Sequence, residues 1–253
     1  SNGQQQVAVD SDENYAMGRF KTHLREKNPQ RTYNHKAELS FVHHDIPEMI
    51  SRMKGTSPNA KIFGVIRKQA DWFESVYKHD VYHFGLDKTF EEFYDSNLGQ
   101  AYREAADYSR VITQFQEAFG KDNVKVLLFE DFIHNQQQFI QSLSDFLGVD
   151  VQVGEKKNLK KNASTSGLFT HLHRTANKLG ETNPKKPERK VYKILRAAIY
   201  RLDGFATNRG WKLPGKAISG TIQERIHSEC AESNRKLAGV IGSDAFLEEY
   251  QYI

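Results

Sequence analysis

The sequence predicts an α/β protein built on a parallel sheet flanked by helices. Three observations lead there. Lys61–Ile66 and Val124–Phe129 are short, nearly continuous apolar runs, as expected of strands buried on both faces. Each is followed by a segment with apolar residues at helical spacing. The order strand, helix, strand, helix then calls for crossovers that set the strands parallel.

The elements follow in chain order. Gln6–Val9 is a short strand candidate that runs into Asp10-Ser11-Asp12-Glu13, and Tyr15–Lys27 is a helix broken by Asn28-Pro29. Ala37–Val42 is a weak strand. Ile46–Lys54 is a short helix with Ile46, Ile50 and Met53 on one face, and Asp45 is placed to cap it. After the Lys61–Ile66 strand, Ala70, Phe73, Tyr77 and Val81 predict a helix from Gln69 to about Phe84. Thr89–Tyr94 is a short helix, and Tyr102–Phe119 reads as one long amphipathic helix closed by Gly120. Asn135 caps a helix with Phe139, Leu143, Phe146 and Leu147 inward, closed by Gly148.

Glu155–Ser166 is polar and basic and reads as a loop, and Thr182–Arg189 as a linker or crossing. Val191, Ile194, Leu195, Ala198 and Leu202 mark an amphipathic helix among many lysines and arginines. A further helix spans about Ile218–Ile241. The expectation is one domain over residues 1–253, with a basic helical subregion at 182–215.

Composition excludes several classes. The chain has 253 residues, 38% hydrophobic and 27% charged, ordinary for a globular protein. The one cysteine, Cys230, permits no internal disulfide and fits a reducing, cytoplasmic compartment. A signal or anchor upstream of Ser1 is compatible with this reading. A Cys/His zinc cluster is absent from the sequence, as is an apolar run long enough to span a membrane. The net charge of +4 mildly favours anionic ligands.

Two short segments resemble phosphate-binding equipment. Lys54-Gly55-Thr56-Ser57 has suitable residues in the wrong order: a helix precedes it, and Pro58 and a strand follow. Phosphate loops need strand, loop, helix, so that amides at a helix N-terminus point at the anion. This segment therefore reads as a helix-to-strand turn. Arg67 stands at the carboxyl end of a strand, where open α/β sheets bind ligands, and Ser75 follows about two helical turns later. A guanidinium fork can hold a phosphate bidentately, and a hydroxyl adds one donor. From position alone Arg67 could equally pair with a carboxylate, and Ser75 could be a surface residue.

The stretch PNAKIFGVIRKQADWFESVYKHDVYHFG resembles the 3′-phosphate-binding strand and helix of sulfotransferases that use 3′-phosphoadenosine 5′-phosphosulfate. FQEAFGKDNVKVLLFEDFIHNQQQFIQSLSDFLGVD, NLKKNASTSG and ESNRKLAGVIGSDAFLEEYQYI are similar to later segments of that family, in the same order. VAVDSDENYA is similar to a strand of bacterial-type members ending in Ser-Asp-Glu.

The resemblance implies a P-loop-NTPase-like three-layer sandwich and a metal-independent transfer of a sulfuryl group. The acceptor would be a hydroxyl or amine of a carbohydrate or glycolipid. It places Arg67 and Ser75 on the 3′-phosphate, with Lys161, beside Lys160, as a weaker contact. Trp72 could flank the adenine. Sulfuryl transfer needs a base, which contributes roughly 10² to 10⁴ in rate. Glu13 is the first candidate; His44, within His43-His44-Asp45, is the alternative.

The family also opens with a strand and a Lys-x-Gly-Thr-Thr/Ser loop for the 5′-phosphosulfate, and nothing before residue 10 can serve as either. A sheet without its middle strand would leave backbone groups unpaired, so that segment is expected upstream of Ser1. The rival reading is a noncatalytic nucleotide- or glycan-binding module derived from such an enzyme. No nucleic-acid partner is expected, and the basic stretch 185–201 could meet an anionic surface.

Overall fold

The computed structural model describes residues 41–149, 166–180, 188–209, 211, 217–250 and 252. Within them, β1 (Ile62–Ile66) and β2 (Val124–Leu128) pair in parallel, with Ile62 opposite Val124 and Ile66 opposite Leu128. Ile66 and Leu127 are buried at the carboxyl end, whereas Gly64 and Val65 are exposed. Two strands are described, and the described residues are mostly helical, compatible with the α/β class.

The helices are α1 (Phe41–Thr56), α2 (Gln69–His83), α3 (Phe90–Tyr94), α4 (Asn97–Ala105) and α5 (Tyr108–Phe119) before β2. After it come α6 (Phe129–His134), α7 (Gln136–Leu147), α8 (Gly167–Gly180), α9 (Glu188–Asn208), α10 (Gly220–Ile241) and α11 (Ala245–Glu249). Local signals explain most boundaries. Thr89 caps α3 in a capping box: its hydroxyl accepts from Glu92 N–H at 3.2 Å, and Glu92 accepts from Thr89 N–H at 2.7 Å. Asn135 Oδ1 accepts from Gln138 N–H at 3.0 Å to open α7, and Gly148 closes that helix in the left-handed conformation.

Four boundaries differ from the sequence reading. The predicted helix Tyr102–Phe119 is two helices, because Asp107 takes an N-cap role and its carboxylate accepts from Arg110 N–H. α1 starts at Phe41, so the weak strand Ala37–Val42 ends in helix, and Asp45 lies inside α1 rather than capping it. β2 stops at Leu128, and Phe129 opens α6. Glu188 and Arg189, placed in the linker, already belong to α9. The expected elements at Gln6–Val9 and Tyr15–Lys27 and most of the Glu155–Ser166 loop lie outside the described residues.

Apolar packing holds three centres. Phe73, Tyr77 and Val81 of α2 pack with Phe90, Phe93 and Tyr102 and against Ile226 of α10. Ile66 packs with Tyr108, Ile112, Leu237, Phe246 and Tyr252, which seals one side of the sheet. Phe169 and Ala176 of α8 meet Ile199 and Ala206 of α9. Burying one such large side chain contributes about 1.5 to 3 kcal/mol.

Candidate active site

The chain turns from β1 into α2 at Arg67-Lys68, and long-range hydrogen bonds fix that corner. The Tyr108 hydroxyl, from α5, donates to the Arg67 carbonyl at 2.9 Å. Burial pushes the Tyr108 phenol well above its ordinary range, so it stays a donor. Lys68 N–H donates to Glu130 Oε1 at 2.9 Å, and Glu130 Oε2 accepts from the Tyr252 hydroxyl at 3.1 Å. Gln69 Nε2 donates to Asn234 Oδ1 at 2.6 Å, and Asn234 Nδ2 returns a bond to Gln69 Oε1 at 3.2 Å. Asn234 also donates to the Tyr252 carbonyl at 2.6 Å. Residues from α2, α5, α6, α10 and the tail thereby converge on one turn.

The Arg67 side chain is half-buried, with its guanidinium over the Phe129 ring, 5.0 Å from the centroid. Among the described residues no carboxylate forms an ion pair with it. Ring stacking restricts the fork without consuming its donors. The N-terminus of α2, a 15-residue helix, adds partial positive charge at the same corner. Lys68, Gln69, Ala70, Ile226, His227 and Tyr252 line a shallow depression beside it. Burial first, and the Lys68 charge second, lower the His227 pKa from its usual value. Such a corner can hold an anion against a positioned guanidinium.

Ser75 lies in α2 and is exposed. Trp72 packs edge-on against Phe73 and Tyr102, with centroids 5.1 and 5.8 Å away, so part of its ring serves the core. The backbone of His43 and His44 lies in α1, and their side chains are outside the described residues. Glu13, Lys160 and Lys161 also lie outside them. Lys54 donates to the Ala118 carbonyl at the end of α5 and stands 5.7 Å from the Phe119 ring centroid. Its segment ends α1 and turns toward β1, so the lysine completes another helix instead of facing a ligand.

Sequence reasoning missed Tyr108, Phe129, Glu130, Asn234 and Tyr252. Phe129-Glu130 had a signal, since both directly follow a strand at its carboxyl end. Asn234 and Tyr252 had none, because the bonds they make join residues far apart in the chain.

Among the described residues, no group of three His, Cys, Asp or Glu is placed to hold a metal ion, and no helix is long and apolar enough to cross a membrane. No curated protein and no solved structure matches the chain. A family model described as a sulfotransferase domain matches residues 13–181, a span that contains β1, the Arg67 corner, α2 and β2. The chain therefore belongs to the sulfotransferase domain family, whose chemistry is the transfer of a sulfuryl group.

Proposed function

We propose that the protein moves a sulfuryl group from 3′-phosphoadenosine 5′-phosphosulfate to a hydroxyl or amine of a carbohydrate or glycolipid acceptor. The observation that carries this reading is the Arg67 guanidinium: half-buried, stacked on Phe129 and without an ion-pair partner among the described residues. A fork held this way fits a phosphate dianion. Arg67 would hold the 3′-phosphate, and the exposed Ser75 hydroxyl would add a donor. Lys161 would contribute a weaker contact. The nucleotide supplies an activated sulfuryl group when bound, and such transfer needs no metal. Glu13 would take the acceptor's proton, with His44 as the alternative base. The reading extends to a P-loop-NTPase-like three-layer sandwich in which residues 1–253 belong to one domain, completed by a first strand and phosphate loop upstream of Ser1.

The test compares 3′-phosphoadenosine 5′-phosphate with adenosine 5′-phosphate by calorimetry on the wild type and Arg67→Ala. Losing a charge-assisted bond costs roughly 1.5 to 3 kcal/mol, about ten- to hundredfold in affinity. That loss is expected for the 3′-phosphorylated nucleotide alone. Equal losses for both nucleotides would remove Arg67 from the 3′-phosphate. Release of 3′-phosphoadenosine 5′-phosphate during turnover, with an acidic or amino sugar as acceptor, then separates the enzyme from a binding module.

A further inference from the structure

The pair α8–α9 carries its largest apolar surface on the outside. On α9, Val191, Ile194, Leu195, Leu202 and Phe205 recur at helical spacing, and Ile194 is 71% exposed. On α8, Leu168, Leu172 and Leu179 form a second exposed stripe. Both stripes lie on the same side of the pair, because the inner sides are accounted for. Asn177 of α8 donates to the Val81 and Leu86 carbonyls at 2.8 and 2.9 Å. Arg196 of α9 donates to the Tyr82 carbonyl, and the Tyr200 and Tyr82 rings are 4.1 Å apart. Phe169, Ala176, Ile199 and Ala206 close the seam between the two helices. The two leucine-rich stripes face away from α2 and away from that seam.

Charge is distributed to match. Between Ser166 and Arg209 ten Lys and Arg stand against three Asp and Glu, in a chain whose net charge is only +4. One of the three acids, Asp203, is buried. Lys178, Arg201 and Arg209 are exposed beside the apolar stripes. At the end of α9 Arg209 lies 4.3 Å from the Phe205 ring centroid, and the exposed Trp211 packs edge-on to the same ring. Aromatic rings with a polar edge beside cations suit a water–lipid boundary. Sugars and nucleic-acid bases are recognised through stacking and hydrogen bonds, and an aliphatic stripe provides neither. Arg196, Arg201 and Asp203 inside α9 rule out a spanning helix and favour one lying in the plane of an interface.

We infer that the outer face of α8–α9 docks on an anionic lipid bilayer, its aliphatic stripes inserted and Lys178, Arg201 and Arg209 on the headgroups. This stands apart from the nucleotide assignment. α9 lies beyond the span matched by the sulfotransferase model, and Arg67 is not on this face.

The experiment is vesicle flotation of the whole chain, Ser1–Ile253. Phosphatidylcholine vesicles are compared with vesicles about one-third phosphatidylserine, at low and high salt. Binding is expected on the anionic vesicles, at least roughly tenfold tighter than on neutral ones, and weaker in high salt. Leu202→Asp should weaken it roughly tenfold or more by removing an inserted side chain. Arg201→Glu should do likewise by reversing a headgroup contact. Both residues are exposed, so melting temperature and nucleotide affinity should match the wild type. Absence of binding to anionic vesicles overturns the inference, as does binding that Leu202→Asp leaves intact. Light scattering that shows self-association abolished by Leu202→Asp, without vesicle binding, overturns it in favour of a second copy of the chain.

Discussion

The Arg67 corner and the α8–α9 pair are both joined to α2, yet they satisfy their polar groups in opposite ways. At the corner, Tyr108, Glu130, Asn234 and Tyr252 pair one another's buried atoms and the backbone of Arg67 and Lys68. In α8, both ring nitrogens of His173, Nε of Arg174 and Oδ1 of Asn177 are buried without a hydrogen-bond partner. Only one other buried side-chain atom among the described residues shares that condition, Oε1 of Gln114. A satisfied polar network fixes one geometry, whereas unpaired buried groups lower the cost of rearrangement. The corner is therefore held in one geometry by its own side chains. The helix pair leaves buried polar atoms unpaired behind an apolar outer face.

The largest effect should come from breaking the corner. Asn234 is fully buried, and Asn234→Ala takes away the donor to Gln69 Oε1 and to the Tyr252 carbonyl, while Gln69 Nε2 keeps its 3.5 Å bond to the Ala106 carbonyl. Two stranded buried groups cost about 3 kcal/mol, or roughly 6 to 12 °C in melting temperature for a chain of this size. Scanning calorimetry would read it, and a shift under roughly 2 °C would show that the network does not hold the turn.

A smaller effect, and a pH-dependent one, belongs to the helix pair. His173 is fully buried between the Tyr82 and Tyr200 rings, 4.6 and 5.2 Å away, with Arg196 nearby. Burial, aided by the Arg196 charge, pushes its pKa down to about 4. The unfolded chain binds this proton near the ordinary histidine value and the folded chain resists it. Stability is thus fully present above about pH 6.5 and is lost as pH falls toward 4. The contribution lost between neutral pH and about pH 4.5 is roughly 2 kcal/mol. Urea unfolding of wild type and His173→Leu at both pH values isolates it. The variant should lose less stability on acidification, and equal losses would show that the ring protonates in place.

The smallest effect is expected on the outer face. Leu202 is 59% exposed, so Leu202→Ser should change stability by less than about 0.5 kcal/mol. A larger destabilisation, seen in the same unfolding experiment, would mean that the stripe packs against the protein and the contrast with the corner is weaker.

Legibility in the sequence follows the same division. Local features could be read: Gln69–His83 from the spacing of Phe73, Tyr77 and Val81, and α7 from Asn135 and Gly148. The place of Arg67 at the end of a strand could be read because it is a local fact. The break at Asp107 was missed because apolar periodicity runs across it through Tyr102, Tyr108 and Ile112, and a single capping side chain decides the matter. The partners of the corner could not be read. Gln69 and Asn234 are 165 residues apart, and no spacing rule links them. On α9 the apolar stripe itself was legible, but its direction was not. The stripe turns outward because Arg196, Ile199 and Asp203 sit on the inner side of the helix.

The tail bond of Asn234 bears on biosynthesis. A ribosome delivers Arg67 and α2 early, but Glu130 waits for a side chain 122 positions further along, and Gln69 waits for one 165 positions along. Until residue 252 emerges, the turn after β1 lacks the clasp formed by Tyr252. Long-range closure of this kind is slow and leaves apolar surface uncovered meanwhile. From the emergence of Gln69 until that of Asn234, 165 positions later, the Arg67 turn therefore stays unfastened, a stage at which a chaperone would find uncovered apolar surface.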